Sequence, residues 1–290
     1  MHELPSEQGR QLVLPAKTNA TAQLSRLIPL RFPGGKFYAL TQLAPFYSGT
    51  TYDDFREPFA GGASVFFSKP KVEHNWLNDI DEELINLYEV MADTSLREKL
   101  VELTSHEVAT KERWKEVRLL KPTNSLERAF KYYYLNRTSF SGKLSSPAWG
   151  YRPKRSLPPE RWRERLIPCG KKLEGVKLTA GDFAEAIEAP SAGNSTLLFV
   201  DPPYYHPPKK KHYLNGFDES DHMRLLKLLK GTSHKFILTY DDVPEIQRLY
   251  SWAYVHPINF YYRVDDSSMQ EGRRRRGTEL VITNFKAGGE

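Results

Sequence analysis

Apolar positions in this chain change period repeatedly, and each change marks an element. Residues 51–58 and 74–79 read as strands, and each is followed by helical spacing: after Ala63 in the first case, and through Leu84, Ile85, Leu87, Tyr88 and Met91 of residues 81–92 in the second. Two strand–helix units therefore follow one another. The pattern resumes at 176–179, 197–200, 235–239, 253–259 and 280–285, with helices predicted after Asp182, Asp218 and Pro244. Such repetition implies a largely parallel sheet covered by helices on both faces. No helical stretch separates the last two strands, so they are expected to pair antiparallel.

Between the two halves, residues 95–120 and 125–136 have helical periodicity. The segment RTSFSGKLSSPAWGYRPKRSLPP that follows is rich in Ser, Gly and Pro, with aromatics among them. This predicts an inserted, mainly helical unit over residues 93–172 carrying a loop or hairpin. The sheet unit is then split into 29–92 and 173–290, and residues 1–28 and the Gly-Gly tail are expected to be loosely ordered ends.

Charge sharpens this division. The net charge is +6, yet residues 128–172 hold 12 Lys and Arg against two acids, a local +10 that leaves −4 for everything else. Among those bases stand Phe130, Tyr132, Tyr133, Tyr134, Phe140, Trp149, Tyr151 and Trp162, a mixture suited to phosphate contact and base stacking. Tyr132, Tyr133 and Tyr134 read equally well as the buried face of a helix. The basic runs 209–211 and 273–276 suit either phosphate binding or a solvated loop. The single Cys169 excludes an internal disulfide and a cysteine-based metal centre, so no metal is expected. No apolar run approaches the roughly 20 residues that span a bilayer, and no secretory-type segment opens the chain, so a cytoplasmic protein without a membrane partner is expected.

An open parallel sheet places its chemistry at the carboxyl ends of its strands. After the first predicted strand, EPFAGGASVFF puts Gly61 and Gly62 where the backbone must turn and where amide groups can meet a ligand. Asp79 closes the second strand at about the spacing from that turn at which an acid meets ribose hydroxyls, and it suits equally the cap of the next helix. GGAS lacks the third spaced glycine of a dinucleotide site, and no GKS or GKT is present to hold a triphosphate. A smaller nucleoside ligand fits better. The run LLFVDPPYY then delivers Asp201, Pro202, Pro203 and Tyr204 from a buried strand: a carboxylate, a turn whose prolines offer only acceptors, and an aromatic face. Those groups suit a flat base bearing an exocyclic amino group.

Taken in order, RFPGGK, REPFAGGASVFF, LNDIDEELINLY, YYLNR, AGDFAEAI, VDPPYY with Tyr213, Phe217, Asp221 and His222, ILTYDD and ELVITNF resemble the motifs of Dam-type (D12 class) DNA adenine-N6 methyltransferases. The likeness covers nearly everything from Pro29 to Phe285. It implies a Rossmann-like α/β sheet dependent on S-adenosyl-L-methionine, mostly parallel with an antiparallel last strand, and an inserted, mainly helical target-recognition domain. It implies too that the segment Phe32, Gly34, Gly35 and Lys36 closes over the cofactor, with Phe32 where the family commonly has Trp. Glu57, Pro58, Phe59, Gly61 and Gly62 would line the methionine and ribose end, Asp79 and Ile80 the ribose, and Asp182 and Phe183 the adenine. Asp201 would bridge cofactor and target. The implied partner is double-stranded DNA, met by Asn136, Arg137, Ser139, Lys143, Arg152, Lys154 and Arg155. A monomer is expected, and a cognate restriction endonuclease is an open partner. NDID stands where the family commonly has NDIN, and SFSGKLSSPAWGYR departs from the hairpin of GATC readers, which leaves the target sequence undetermined. N4-cytosine methylation, RNA adenine methylation and a catalytically dead DNA-binding relative remain as alternatives.

Overall fold

The computed structural model describes residues 28–32, 34–205, 216–261 and 276–287. The basic run 209–211, Tyr213 and residues 273–275 of the second basic run lie outside these.

Among the described residues seven strands form one sheet in the order β3-β2-β1-β4-β5-β7-β6, where β1 is Asp54–Glu57, β2 His74–Asp79, β3 Lys177–Ala180, β4 Thr196–Val200, β5 Lys235–Asp241, β6 Tyr254–Tyr261 and β7 Arg276–Thr283. The first five pair in parallel, whereas β7 runs antiparallel to both β5 and β6. That is the expected mostly parallel sheet with an antiparallel last strand. The chain moves from β1 outward through β2 and β3, then returns to the other side of β1 as β4. A crevice opens at such a reversal, beyond the carboxyl ends of β1 and β4.

Strand alternation divides the core between the two faces. Leu197, Phe199, Ile237 and Val281 join Phe55 and Leu77 in one cluster, while Leu198, Val200, Phe236, Leu238, Leu280 and Ile282 join another. The second cluster is closed by α8 (Phe183–Glu188), α9 (Glu219–Gly231) and α10 (Pro244–Leu249). On the first face lie α1 (Leu40–Ser48), α2 (Ser64–Ser68) and α3 (Glu82–Ala92), followed by α4 (Thr94–Ser105), α5 (Lys111–Leu119), α6 (Ser125–Thr138) and α7 (Arg163–Leu173).

Side-chain caps set several helix starts: Asp81 accepts from Glu83 N and Leu84 N, Asp93 from Leu96 N, and Asn124 from Glu127 N. The helical expectation for 95–120 resolves into two helices, because Thr110 caps a new one through Arg113 N. Pro45 interrupts the pattern of α1, and Pro168 and Gly170 that of α7. Gly170 is required where it stands: a β-carbon there would lie 2.3 Å from Arg97 Cδ and 2.4 Å from the Met91 carbonyl oxygen. Helices α4–α7 also share their core with the sheet, since Leu100, Trp114, Tyr133, Trp162 and Leu166 belong to the same cluster as Phe55.

Candidate active site

At the end of β1 the backbone turns through Gly61 (φ +46°) and Ala63 (φ 47°) before α2 begins. The turn is held from β2, because Gly61 N donates to Asp79 Oδ2 at 2.8 Å while Asp81 N donates to Oδ1 at 3.0 Å. Capping of α3 thus falls to Asp81, and Asp79 ties the glycine turn to the helix entry. Burial pushes the Asp79 carboxyl up to about 6. Phe32 lies against both glycines: β-carbons on Gly61 and Gly62 would come within 3.1 Å of its side chain. Glu57, at the same strand end, is 2% exposed, accepts from Phe66 N at 2.7 Å, and is pushed up to about 8 by burial.

The neighbouring strand end supplies an aromatic wall. Asp182 follows β3 and caps α8 through Ala184 N at 2.8 Å, while its other oxygen meets Arg224 at 2.6 Å. The Arg224 guanidinium sits 4.3 Å over the Phe183 ring. Phe183 in turn stacks on Phe59, centroids 5.0 Å apart and planes at 24°, and Phe217 packs against both rings. Ile80 is exposed at the rim.

Beyond β4, Asp201 Oδ1 lies 2.5 Å from Lys36 Nζ and accepts from Thr239 Oγ1 at 2.7 Å. Lys36 is 3% exposed and also lies 5.3 Å over the Tyr204 ring. The Tyr204 hydroxyl donates to Glu279 Oε1, and Glu279 Oε2 is 3.7 Å from Lys36 Nζ. Glu279 was not among the expected site residues. Sheet logic looks for acids at carboxyl ends, and β7 runs the other way: its early residue Glu279 pairs with Asp241 at the end of β5 and so reaches the same edge. The signal was present, as one acid opening the apolar run ELVIT.

One cavity collects most of these groups, Thr239 and Glu279 not being part of its lining. Its lining includes all the anticipated cofactor residues, Phe32, Gly34, Gly35, Lys36, Glu57, Pro58, Phe59, Gly61, Gly62, Asp79, Ile80, Asp182, Phe183 and Asp201, together with Pro202, Pro203 and Tyr204. Gly142, Lys143, Leu144 and Ser145 line it from the loop after α6.

The anticipated DNA contacts divide. Lys143 is half-buried beside the cavity, and Arg152, Lys154 and Arg155 are exposed. Asn136, Arg137 and Ser139 are instead buried, which corrects their expected surface role. Asn136 clamps the chain at Arg31, accepting from Arg31 N at 3.0 Å and donating to its carbonyl at 2.7 Å and to that of Gly142 at 3.1 Å. Ser139 accepts from Trp114 Nε1 at 3.0 Å. Arg137 is buried near Arg31, and burial together with that proximity brings Arg31 down to about 10. The interleaved aromatics divide likewise. Tyr132, Tyr133, Tyr134 and Trp162 are core, as helical spacing allowed, whereas Phe140 is 42% exposed. Among the described residues no His, Cys, Asp and Glu group could hold a metal ion, and no helix is long and apolar enough to cross a membrane.

Comparison with known proteins gives the chemistry a family. A type II methyltransferase of Lactococcus lactis subsp. cremoris is 25% identical over 279 residues, covering 88% of this chain and 94% of its own. A type II methyltransferase of a Paramecium bursaria Chlorella virus is 28% identical over 265 residues, covering 88% and 98%. A DNA N-6-adenine-methyltransferase of an Escherichia phage is 29% identical over 253 residues, covering 81% of this chain and 32% of that longer protein. Residues 32–263 match the D12 class N6 adenine-specific DNA methyltransferase family, and the chain belongs to that family of adenine-specific DNA methyltransferases.

Proposed function

We propose that this methyltransferase passes the methyl group of S-adenosyl-L-methionine directly to N6 of an adenine flipped out of double-stranded DNA. The observation that carries this reading is that Asp201, Pro202 and Tyr204 share one cavity with the Gly61 turn, Asp79 and Asp182. Glu57, Asp79, Asp182 and Asp201 surround that cavity, and Phe59 and Phe183 give it a flat apolar wall. A cationic nucleoside fits such a lining: carboxylates for ribose hydroxyls, an exocyclic amine and positive charge, and rings for a base. Asp79 and Ile80 would meet the ribose, Asp182 and Phe183 the adenine, and Phe32, Gly34, Gly35 and Lys36 would close over the methionine end with Glu57. When bound, the cofactor supplies an electrophilic methyl group.

The chain's own residues then prepare the target nitrogen. Adenine N6 is a weak nucleophile because its lone pair is delocalised into the ring. Asp201 Oδ1 is engaged by Lys36 and Thr239, so Oδ2 and the Pro202 carbonyl are the acceptors for the two amino hydrogens. Those bonds strengthen as positive charge develops on the nitrogen. Extrusion from the duplex costs a few kcal/mol, and stacking on Tyr204 offsets about 1–3 kcal/mol of it. No covalent intermediate is needed.

Residues 93–172 act as the target-recognition unit in this reading, with Lys143 beside the flipped base and Arg152, Lys154 and Arg155 on the DNA side. The type II relatives support a modification role; a cognate restriction endonuclease and action as a monomer belong to the same proposal. Incubating the purified chain with a methyl-labelled donor and either duplex DNA or RNA, followed by mass spectrometry of the nucleosides, tests the reading. N6-methyladenine in DNA, mapped to one motif by sequencing, is expected. N4-methylcytosine, or transfer to RNA alone, would redirect it.

A further inference from the structure

Glu279 is an acid in the core of a sheet edge, 2% exposed, on a strand whose next residues Leu280, Val281 and Ile282 are all buried apolar. An acid in such a place is costly unless partners satisfy it. Among its partners are two groups of the methyl-transfer site. Oε1 accepts from the Tyr204 phenol, and Oε2 lies 3.7 Å from the Lys36 ammonium, which itself lies 2.5 Å from Asp201.

We infer that Glu279 is a positioning residue for methyl transfer: it anchors the Tyr204 ring by its hydroxyl and shares the Lys36 ammonium with Asp201. The inference rests on the reading of Tyr204 as the stacking face for the target base. A tyrosine following two prolines has a constrained backbone, but its ring still turns about two side-chain bonds. Anchoring the far end of the ring removes that freedom before the base arrives, so the stacking plane is set in advance. The same carboxylate shares Lys36 with Asp201 and with the Gly34 carbonyl, to which Lys36 Nζ donates at 3.2 Å, so that Asp201 is one of several claims on the ammonium and keeps its second oxygen for the amino group. Burial of Glu279 pushes its carboxyl up to about 7, against the pull of Lys36, so the fold keeps an acid here at a cost.

Orientation and binding can be separated experimentally. Glu279→Gln keeps the shape but weakens the hold on both partners, and Tyr204→Phe keeps the ring but removes the hydroxyl. Each should lower kcat on the order of tenfold to a hundredfold, the scale of a misplaced reacting group, with cofactor affinity and the KM for DNA little changed. In a double-mutant cycle the two changes should be far from additive, because both break one bond. Normal kcat in folded Tyr204→Phe would overturn the inference, even if Glu279→Gln failed to fold. So would additive losses, or a Glu279→Gln defect that appears wholly in cofactor affinity. Tyr204→Ala separates this outcome from failure of the underlying reading. If Tyr204→Ala retains turnover, the stacking role itself is wrong; if it is inactive while Tyr204→Phe is normal, only the part assigned to Glu279 falls.

Discussion

Lys36 Nζ lies 2.5 Å from Asp201 Oδ1, so the segment that enters the sheet and the turn that leaves β4 are joined by one mostly buried ion pair. Asp201→Ala leaves that ammonium without its nearest partner and, in the proposed reading, removes an acceptor from the target amino group. Methyl transfer should fall at least about a hundredfold, the usual scale for losing one preorganised polar group at a reacting centre. Cofactor affinity should weaken as well, and near wild-type turnover in a steady-state assay would remove Asp201 from the site.

Cys169 offers a test of reaction class. It is fully buried in α7, which packs against α3 and α4, and burial pushes its thiol up to about 12. Methylation at a pyrimidine ring carbon requires a thiolate nucleophile, whereas direct amino methylation requires none. Cys169→Ala should therefore retain its turnover, with a stability cost of about 1 kcal/mol from the lost packing. A folded but inactive variant would demand a different mechanism.

The sheet and the residues that meet at the cavity were legible because each rests on local rules. The unbroken apolar run LLFV and the glycine turn after β1 state their geometry in a few residues, and the cavity gathers Gly61, Asp79, Asp182 and Asp201. Glu279 was not legible, since its place depends on the direction of β7 and its register against β5. Asn136, Arg137 and Ser139 misled for the opposite reason. A polar residue among aromatics carries the same sequence signature whether it meets DNA or holds one loop to another.

Asn136 accordingly makes a stability prediction in place of a recognition one. Its carboxamide satisfies Arg31 N, the Arg31 carbonyl and the Gly142 carbonyl, all at 2.7–3.1 Å. Gly142 has φ +71°, and a β-carbon there would meet Arg31 O at 2.3 Å. Asn136→Ala strands these backbone groups and should cost about 1–3 kcal/mol. Thermal unfolding should show the loss; a normal Tm with an altered target motif would restore Asn136 to the DNA surface.

Three acids at the site, Glu57 and Glu279 buried and Asp79 half-buried, set a pH dependence. Burial raises Asp79 to about 6, Glu279 to about 7 and Glu57 to about 8, all above their unfolded values. The folded chain then binds more protons than the unfolded one, so the stability these groups contribute is fully present below about pH 4 and is lost as pH rises through 6–8. Lys69 and Lys172, lowered to about 8 by burial, keep their protons through most of that window and add little slope. Without cofactor, Tm should decline from about pH 5 to 8. Glu57→Gln should make the decline shallower, since each tenfold difference in proton affinity between folded and unfolded chains corresponds to about 1.4 kcal/mol. An unchanged slope would mean that Glu57 titrates normally.

Sequence choice and methyl chemistry should prove separable along the loop after α6. Lys143 lines the cavity beside Gly142, Leu144 and Ser145, whereas Arg152, Lys154 and Arg155 are exposed further along the same segment. A basic side chain that reads a guanine edge contributes about 1–3 kcal/mol of discrimination at one position. One that only meets phosphate strengthens all sequences alike, and its removal reduces the salt slope by about one for each phosphate no longer neutralised. Alanine variants at these four positions, assayed against a library of duplex targets at two salt concentrations, should therefore fall into two classes. Substitution of Lys143, which lines the cavity, is expected to relax the motif. Substitutions of Arg152, Lys154 and Arg155 should include some that flatten the salt dependence while leaving the motif intact. If all four variants kept both motif and salt slope with full activity, recognition would have to come from another surface, with the basic run 273–276 the next to be substituted.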